Sequence, residues 1–288
     1  YSGLCAADGV CEFALVILTN GARLAVCSGA TLQFGTIEAD PSYKPYLELR
    51  SGALLMPRDY VISNYAFTVM GAGSGLSFQD GEGSKSLTIA NTTVYLDWPL
   101  TLDGSIKVEK GGVLAHESNA DLGLSTPSSM YRLDLTLTGD LTTCTGGVIT
   151  AKGCGYAANK GPGAPSVSGK SAAHGGLPST GSDYATTYGS LTNPYTHGSG
   201  GNTPGGGVIK LDVAGDTTLF GRVDADARNY YGGGWGAGAG GSISISTKSL
   251  RGNANIRACG GAAGAPSGGG GRVAVTLTGE HADFSGFT

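Results

Sequence analysis

Two aspartates that alternate along one segment have the clearest chemical potential in the chain. Asp224 and Asp226 lie in the phrase DADAR, which Arg228 completes. Residues two apart in an extended strand share a face, so both carboxylates are expected to point the same way. Such a pair can bind calcium or act as the acid and base of a glycosidase. The interpretation that we prefer is a polar outward face alternating with inward apolar residues.

Aromatic residues could supply a surface on which a sugar ring stacks. The chain has two tryptophans, Trp98 and Trp235, and Trp235 lies in the glycine-rich phrase YYGGGWGAG. A large ring among glycines is expected to be partly exposed. We therefore name Asp224, Asp226 and Trp235 as candidate carbohydrate contacts, with calcium as the alternative ligand.

The histidines are predicted to be hydrogen-bonding loop residues. His174 precedes Gly-Gly and His197 precedes Gly-Ser-Gly, and neither has a cysteine or carboxylate at metal-ligand spacing. No GxSxG phrase precedes a helix, and the glycine clusters lack the strand-to-helix transition of phosphate loops. The Asn-Thr-Asp and Gly-His-Gly phrases of pectin-degrading enzymes are absent. We expect no catalytic residue, no metal, no cofactor and no enzymatic activity.

Six cysteines without CxxC spacing favour disulfides over zinc. Two pairs are close enough in sequence for local bridges: Cys5 with Cys11, and Cys144 with Cys154. Cys27 and Cys259 remain; either they pair elsewhere or one is a buried free thiol.

The cysteines and one sequon together favour a secreted protein. Asn91 begins the phrase Asn-Thr-Thr, which permits N-glycosylation. The chain begins with Tyr1, so we expect a processed or partial chain from which a signal peptide has been removed.

Composition excludes several classes of partner. Glycine accounts for 52 of 288 residues, well above the usual share of roughly 7%. Only 14% of residues are charged, the net charge is −4, and lysine and arginine do not cluster, which argues against nucleic acid. No apolar run approaches the roughly 20 residues of a membrane span.

The sequence predicts short strands, in which apolar and polar residues alternate and which end at glycine or asparagine, and these strands must position all the residues above. Almost no helix is predicted. One phrase recurs as GATLQF, SGALLM, SGLSF and GGVLAH, and Gly207, Gly241 and Gly271 are separated by 34 and 30 residues. This favours a parallel β-helix with coils of about 20 to 35 residues over a sandwich of hairpins. The predicted inward ladder comprises Ile209, Leu211, Val213, Ile243, Ile245, Val273, Val275 and Leu277.

We predict one domain, 1–288. It begins with a cysteine-containing cap at 1–12, continues with less regular coils at 13–130, and ends with glycine-rich coils at 131–288. A Gly/Ser/Thr/Pro-rich lateral insertion at 156–204 interrupts these coils. Its tyrosines, Tyr184, Tyr188 and Tyr195, predict that it packs along the side of the stack.

The order of phrases in the second half is HGG, YGS with NP, HGSGG, GGG with a strand, AGGSISIST, LRGNANIRACGG and GGGGRVAV. This order resembles a glycine-rich β-helix repeat of very large secreted or surface proteins of bacteria, algae and protists. Similar stretches occur in mastigoneme-like or adhesin-like fibrous proteins of the cell surface. The resemblance covers roughly residues 131–288. It implies a right-handed, single-stranded parallel β-helix, an extracellular setting and a structural or adhesive role.

The function expected from these observations is that of a structural segment or subunit. The last repeat stops within its second strand, so either more chain follows or a neighbouring copy completes the coil, and head-to-tail contacts of that kind build filaments. The alternative is a polysaccharide-binding or polysaccharide-degrading β-helix with its site near Asp224, Asp226 and Trp235.

Overall fold

The computed structural model describes residues 9–167, 169–179, 185–229, 236–262 and 266–288. Within these ranges the chain forms 21 strands and one short 3-10 turn, Pro41–Tyr43, which confirms the all-β prediction. None of the described residues belongs to a helix with the length and apolar character that crossing a membrane requires.

The strands are short except for three in the second half and two near the start. In chain order they are β1 Val10–Leu18, β2 Arg23–Cys27, β3 Thr31–Ala39, β4 Tyr46–Arg50, β5 Ala53–Met56, β6 Tyr60–Ser63, β7 Ala66–Met70, β8 Gly75–Phe78, β9 Ser86–Ala90, β10 Thr93–Leu96, β11 Leu100–Leu102, β12 Ser105–Val108, β13 Val113–Ala115, β14 Leu133–Leu137, β15 Leu141–Thr143, β16 Val148–Thr150, β17 Val208–Leu219, β18 Arg222–Asp224, β19 Ser242–Gly252, β20 Asn255–Arg257 and β21 Arg272–Leu277. The first described strand therefore begins at Val10, inside the region predicted as a cap.

The described strands form three sheets, and each ladder between two of them is parallel. The first has the order β1-β3-β5-β8, and the second has the order β2-β4-β7-β10-β13-β16-β18-β20. The third runs β11-β14-β17-β15-β12-β9-β6, with β19 beside β17 and β21 beside β19. Between two strands that pair in one sheet, the chain passes through strands of the other sheets. The chain therefore leaves each sheet and later returns to it to add a neighbouring strand.

Equivalent residues stack in register along the second sheet. Its inward column contains Leu24, Leu47, Phe67, Val94, Leu114, Ile149, Val223 and Ile256. Consecutive members are 20 to 35 residues apart in sequence, as predicted, except for Ile149 and Val223, which flank the insertion. Six of the eight are buried; the two at the ends, Leu24 and Ile256, are only partly buried.

The glycine repeat of the second half stacks as its spacing predicts. Ser242 donates its amide to the carbonyl of Gly207, and Arg272 donates to that of Gly241, both at 3.0 Å. The strands that follow these glycines pair over their full inward columns. The predicted inward residues of β17 and β19 are buried, whereas Val273 on β21 is 44% exposed because no described strand covers it.

Seven segments outside the sheets pack on one another through backbone hydrogen bonds, and we call them the glycine block. It comprises residues 155–160, 171–176, 196–207, 225–229, 236–241, 258–262 and 268–271. The insertion contributes 155–160, 171–176 and much of 196–207, and most of these residues are buried, so the insertion packs against the coils as predicted.

Successive residues of the glycine block bond to different neighbouring segments. The amide of Ala239 donates to Ser199, that of Gly240 to Gly269 and that of Gly241 to Ala225, at 2.8, 3.0 and 2.7 Å. A β-ladder instead returns to the same neighbour at every second residue. The observed rotation matches a polyproline II chain, which has about three residues per turn.

Close backbone contact explains why the glycine block needs glycine. A Cβ on Gly241 would overlap the carbonyl oxygen of Gly207, and one on Gly206 would overlap that of Ala225. By contrast, a Cβ on Gly270 would meet no atom within 4 Å. Glycine is thus required where two backbones touch, and composition alone does not distinguish these positions.

Gly241→Ala is expected to destabilise the protein, because the new methyl group must push apart two hydrogen-bonded turns. The expected loss is about 2 kcal/mol or more in the free energy of unfolding. Gly270→Ala is the matched control and should leave stability unchanged within about 0.5 kcal/mol. Urea unfolding followed by circular dichroism measures both, and equal effects would contradict the packing described.

Candidate functional site

The paired aspartates do not form an open acidic face. Val223 and Ala225 point inward and are fully buried, so the predicted alternation is present. Asp224 and Asp226 lie on the other face but are 0% and 6% exposed. Their burial is a correction to the exposed polar face expected from the sequence.

An arginine contacts each carboxylate, and a second group, a hydroxyl for Asp224 and a backbone amide for Asp226, donates to it. Arg222 Nε lies 2.9 Å from Asp224 Oδ2, a charge contact without hydrogen-bond alignment, and Thr150 donates to Oδ1. Arg257 Nε lies 2.8 Å from Asp226 Oδ2, and the Cys259 amide donates to Oδ1 at 2.7 Å. A calcium ion would have to displace both arginines, and a glycosidase acid would lack access to substrate.

One outward column of the second sheet brings these polar residues into line. In register it contains Glu48, Thr68, Tyr95, Ala115, Thr150, Asp224 and Arg257. Toward its other end, Glu48 pairs with Ala25 of β2, is 3% exposed, and lies 2.6 Å from Arg50 and 3.2 Å from Arg23. Each buried carboxylate in the column thus has arginine partners, as burial of a charge requires.

His174 is a structural residue of the insertion. Its Nδ1 donates to the carbonyl of Gly240 at 2.7 Å, and its Nε2 accepts from the Thr196 hydroxyl at 2.8 Å. This pattern, with one ring nitrogen donating and the other accepting, is that of a neutral imidazole. Burial is the main cause that lowers the pKa of His174 to about 4. The prediction of a hydrogen-bonding loop residue is confirmed.

His197 and His116 join the insertion to the coils. His197 Nε2 donates to the carbonyl of Tyr131 at 2.8 Å, and His116 Nε2 accepts from the amide of Val208 at 3.3 Å. Their rings meet edge to face, with centroids 6.2 Å apart. Burial lowers the pKa of His116 to about 4 and that of His197 to about 3.

The predicted bridge between Cys144 and Cys154 does not form in this structure. Both are separate thiols, because β16 runs between them and places them at opposite ends of that strand. Cys154 Sγ instead contacts the carbonyl of Lys152 at 3.4 Å, and burial raises its pKa to about 12. Cys27 and Cys259 are exposed thiols. Cys5, the predicted partner of Cys11, lies outside the described residues.

The remaining predicted site residues are separated in space or not described. Asn91 is exposed, with a φ of 52° in the turn before β10, so its side chain is accessible to modification. Trp235 lies outside the described residues, as does Tyr184. Trp98 is 38% exposed and does have a neighbouring tyrosine of the insertion, Tyr195, in a shared pocket.

This pocket, which we call the corner pocket, lies beside the turn between β10 and β11. It has a volume of about 180 Å³ and is lined by Asp97, Trp98, Pro99, Ser128, Ser129, Met130, Tyr131, Arg132 and Tyr195. Three separate stretches of chain meet there: the corner itself, the segment before β14, and the insertion. The sequence analysis did not identify Asp97 or Arg132 as site residues. For Asp97, the one local indication was its place directly before Trp98 and Pro99 at the end of a strand.

Asp97 is the most perturbed carboxyl group of the corner pocket. It is 2% exposed, its Oδ1 accepts from the amide of Glu117 at 2.7 Å, and its Oδ2 has no hydrogen-bond partner. Burial is the main cause that raises the pKa of Asp97 to about 7. The carboxyl can therefore donate or accept near neutral pH.

Comparison of the chain with family models, with curated proteins and with solved structures found no match.

The buried histidines should make the protein sensitive to acid. The folded pKa of His174 lies below the usual 6.5, so the unfolded chain binds more protons, and stability falls as pH decreases from about 6.5 toward 4. Between pH 7 and 5 this residue alone should account for a loss of roughly 2 kcal/mol.

His174→Asn should remove that share of the pH dependence, measured as the difference in unfolding free energy between pH 7 and pH 5. The matched control is His281→Asn, because His281 is 91% exposed. An unchanged pH dependence in the His174 variant would show that the ring is not held neutral.

Proposed function

We propose that this protein is a subunit or segment of an extracellular filament or surface appendage. In this proposal the three parallel sheets are faces of one right-handed, single-stranded parallel β-helix that grows head to tail through its open ends. The right hand follows the general rule for crossovers between parallel strands. The observation that carries the proposal is the exposure of the outermost apolar side chain in the inward column at each end, Phe13 at one end and Val273 at the other.

At the first end, the inward column of the first sheet lacks a cover among the described residues. Phe13 stacks in register on Phe34, yet Phe13 is 37% exposed whereas Phe34 is 1% exposed. Leu15 and Ile17 are 45% and 59% exposed, but they pair with the exposed Thr36 and Glu38 and lie on the outward face of β1. The edge of β1, which no described strand pairs, also presents a row of backbone groups suited to another parallel strand.

At the other end, β21 is likewise the outermost described strand of its sheet. Val273 pairs with Ile243, which is fully buried, but Val273 itself is 44% exposed. The last described residues cover only the far half of β19, through a parallel bridge between Gly252 and Phe287. Among the described residues, both ends therefore combine an unpaired parallel edge with apolar side chains, and a heterologous contact between them would repeat indefinitely.

The setting in this proposal is the cell exterior. Asn91 is exposed on the wall of the stack, where an attached glycan would leave both ends clear. Two exposed thiols, Cys27 and Cys259, would meet oxidising conditions there. Self-association and glycans are the partners that we propose; nucleic acid is not among them, given the net charge of −4.

The alternative proposal is a β-helix that binds or degrades polysaccharides, with its site near Asp224, Asp226 and Trp235. The arginine contacts of the two carboxylates favour the structural proposal over acid-base catalysis at that place. Carbohydrate binding has a better-formed location, the corner pocket, which is considered separately below.

Purified protein is expected to form unbranched filaments at high concentration, seen by negative-stain electron microscopy. The second sheet has eight strands, and strands are spaced about 4.8 Å apart, so an axial repeat near 40 Å is expected. Protein that stays monomeric in sedimentation velocity over a wide concentration range would contradict the proposal.

Val273→Lys should abolish assembly, because an ammonium group at the end of the apolar column must be desolvated in the contact. Leu191→Lys is the matched control: Leu191 is 75% exposed on the lateral insertion and should be neutral. Both variants should unfold at the same urea concentration as the original chain, so that loss of filaments reports on the contact itself.

A further inference from the structure

The corner pocket contains two buried polar atoms that point to a missing ligand. Asp97 Oδ2 and Arg132 Nε are both shielded from solvent, and neither has a hydrogen-bond partner among the described residues. Buried groups of this kind are seldom left unsatisfied, because each loses its hydrogen bonds to water. Both residues line the same cavity, so one ligand could contact both.

The charges of the pocket favour a neutral ligand. A cation would approach the guanidinium of Arg132, and an anion would approach the carboxyl group of Asp97. A hydroxylated ring avoids both repulsions, since a hydroxyl group can donate to one side and accept from the other. The exposed hydroxyl groups of Ser128 and Ser129 add further partners at the rim.

Aromatic walls make the pocket suited to a sugar ring. Trp98 is 38% exposed and lines the cavity, so its ring is available for stacking. Tyr195 is held in place, because its hydroxyl donates to Asp134 Oδ2 at 2.6 Å and Arg132 lies over its ring at 4.8 Å. The volume of about 180 Å³ is below the usual range for drug-sized ligands, which fits one ring of a longer chain.

We propose that the corner pocket binds one residue of a neutral polysaccharide. A sugar ring stacks on Trp98, and its hydroxyl groups bond to the Asp97 and Arg132 side chains that line the cavity. The site is separate from Asp224 and Asp226, and it lies on the side wall, away from both ends of the stack. Sugar binding is thus independent of filament growth, and either property can exist without the other.

The test is a titration of the full chain with soluble tetrasaccharides of glucose, mannose, galactose and xylose. A tetrasaccharide of galacturonic acid and one of glucosamine serve as the charged probes. Fluorescence of Trp98, followed in a Trp235→Phe background, and calorimetry report binding. At least one neutral tetrasaccharide should bind at millimolar concentration or below, and more tightly than either charged probe.

Asp97→Asn and Trp98→Ala should each weaken this binding by about 10-fold or more, because the first replaces the acceptor Oδ2 with an amide donor and the second removes the stacking ring. Trp98→Phe should restore most of the affinity, which separates stacking from a folding defect. Tyr43→Ala is the control, since Tyr43 is an exposed aromatic residue outside the pocket. The proposal is overturned if no neutral sugar binds, if a charged probe binds more tightly, or if binding survives both Asp97→Asn and Trp98→Ala unchanged.

Discussion

Parallel register between neighbouring strands is the constraint on which the rest of this structure depends. Each strand pairs in parallel with the next strand of its sheet, so a residue stacks on its counterpart and shares its surroundings. An inward column must therefore be apolar along its whole length, and a polar residue on the outward column meets other polar residues. Asp224 illustrates the second effect. It is buried, and register places it between Thr150 and Arg257, which are both polar partners.

The glycine block extends the same principle beyond the sheets. Its segments touch through their backbones, so hydrogen bonds replace side-chain packing as the main contact between turns. The insertion is anchored there by neutral histidines, whose rings bond to carbonyl groups of distant turns. This anchoring has a consequence for the corner pocket, because Tyr195 belongs to the insertion while Trp98 belongs to an early corner. The glycine block thus holds a wall of the pocket that a free loop could not position.

The ends and the side wall of the stack offer different chemistry. At the ends, the register that orders the interior also leaves the last apolar residues uncovered, as Phe13 and Val273 show. On the side wall, corners can carry additional chain without disturbing the ladders, and the two long excursions, before β14 and before β17, meet at the corner pocket. The two proposals, assembly through the ends and ligand binding on the wall, are compatible because their contacts share no residue.

The sequence by itself determined the strands, their inward residues in β17 and β19, and the stacking of Gly207, Gly241 and Gly271, because alternation and spacing are local or periodic signals. It also indicated that His174 and His197 make hydrogen bonds. Only the tertiary structure decided which distant side chains meet: Asp224 with Arg257, and Asp97 with Arg132 and Tyr195. It also separated Cys144 from Cys154 despite their closeness in sequence. The physical reason is that register along a stack and the path of an insertion depend on backbone contacts between turns, and no local pattern of residue types encodes them.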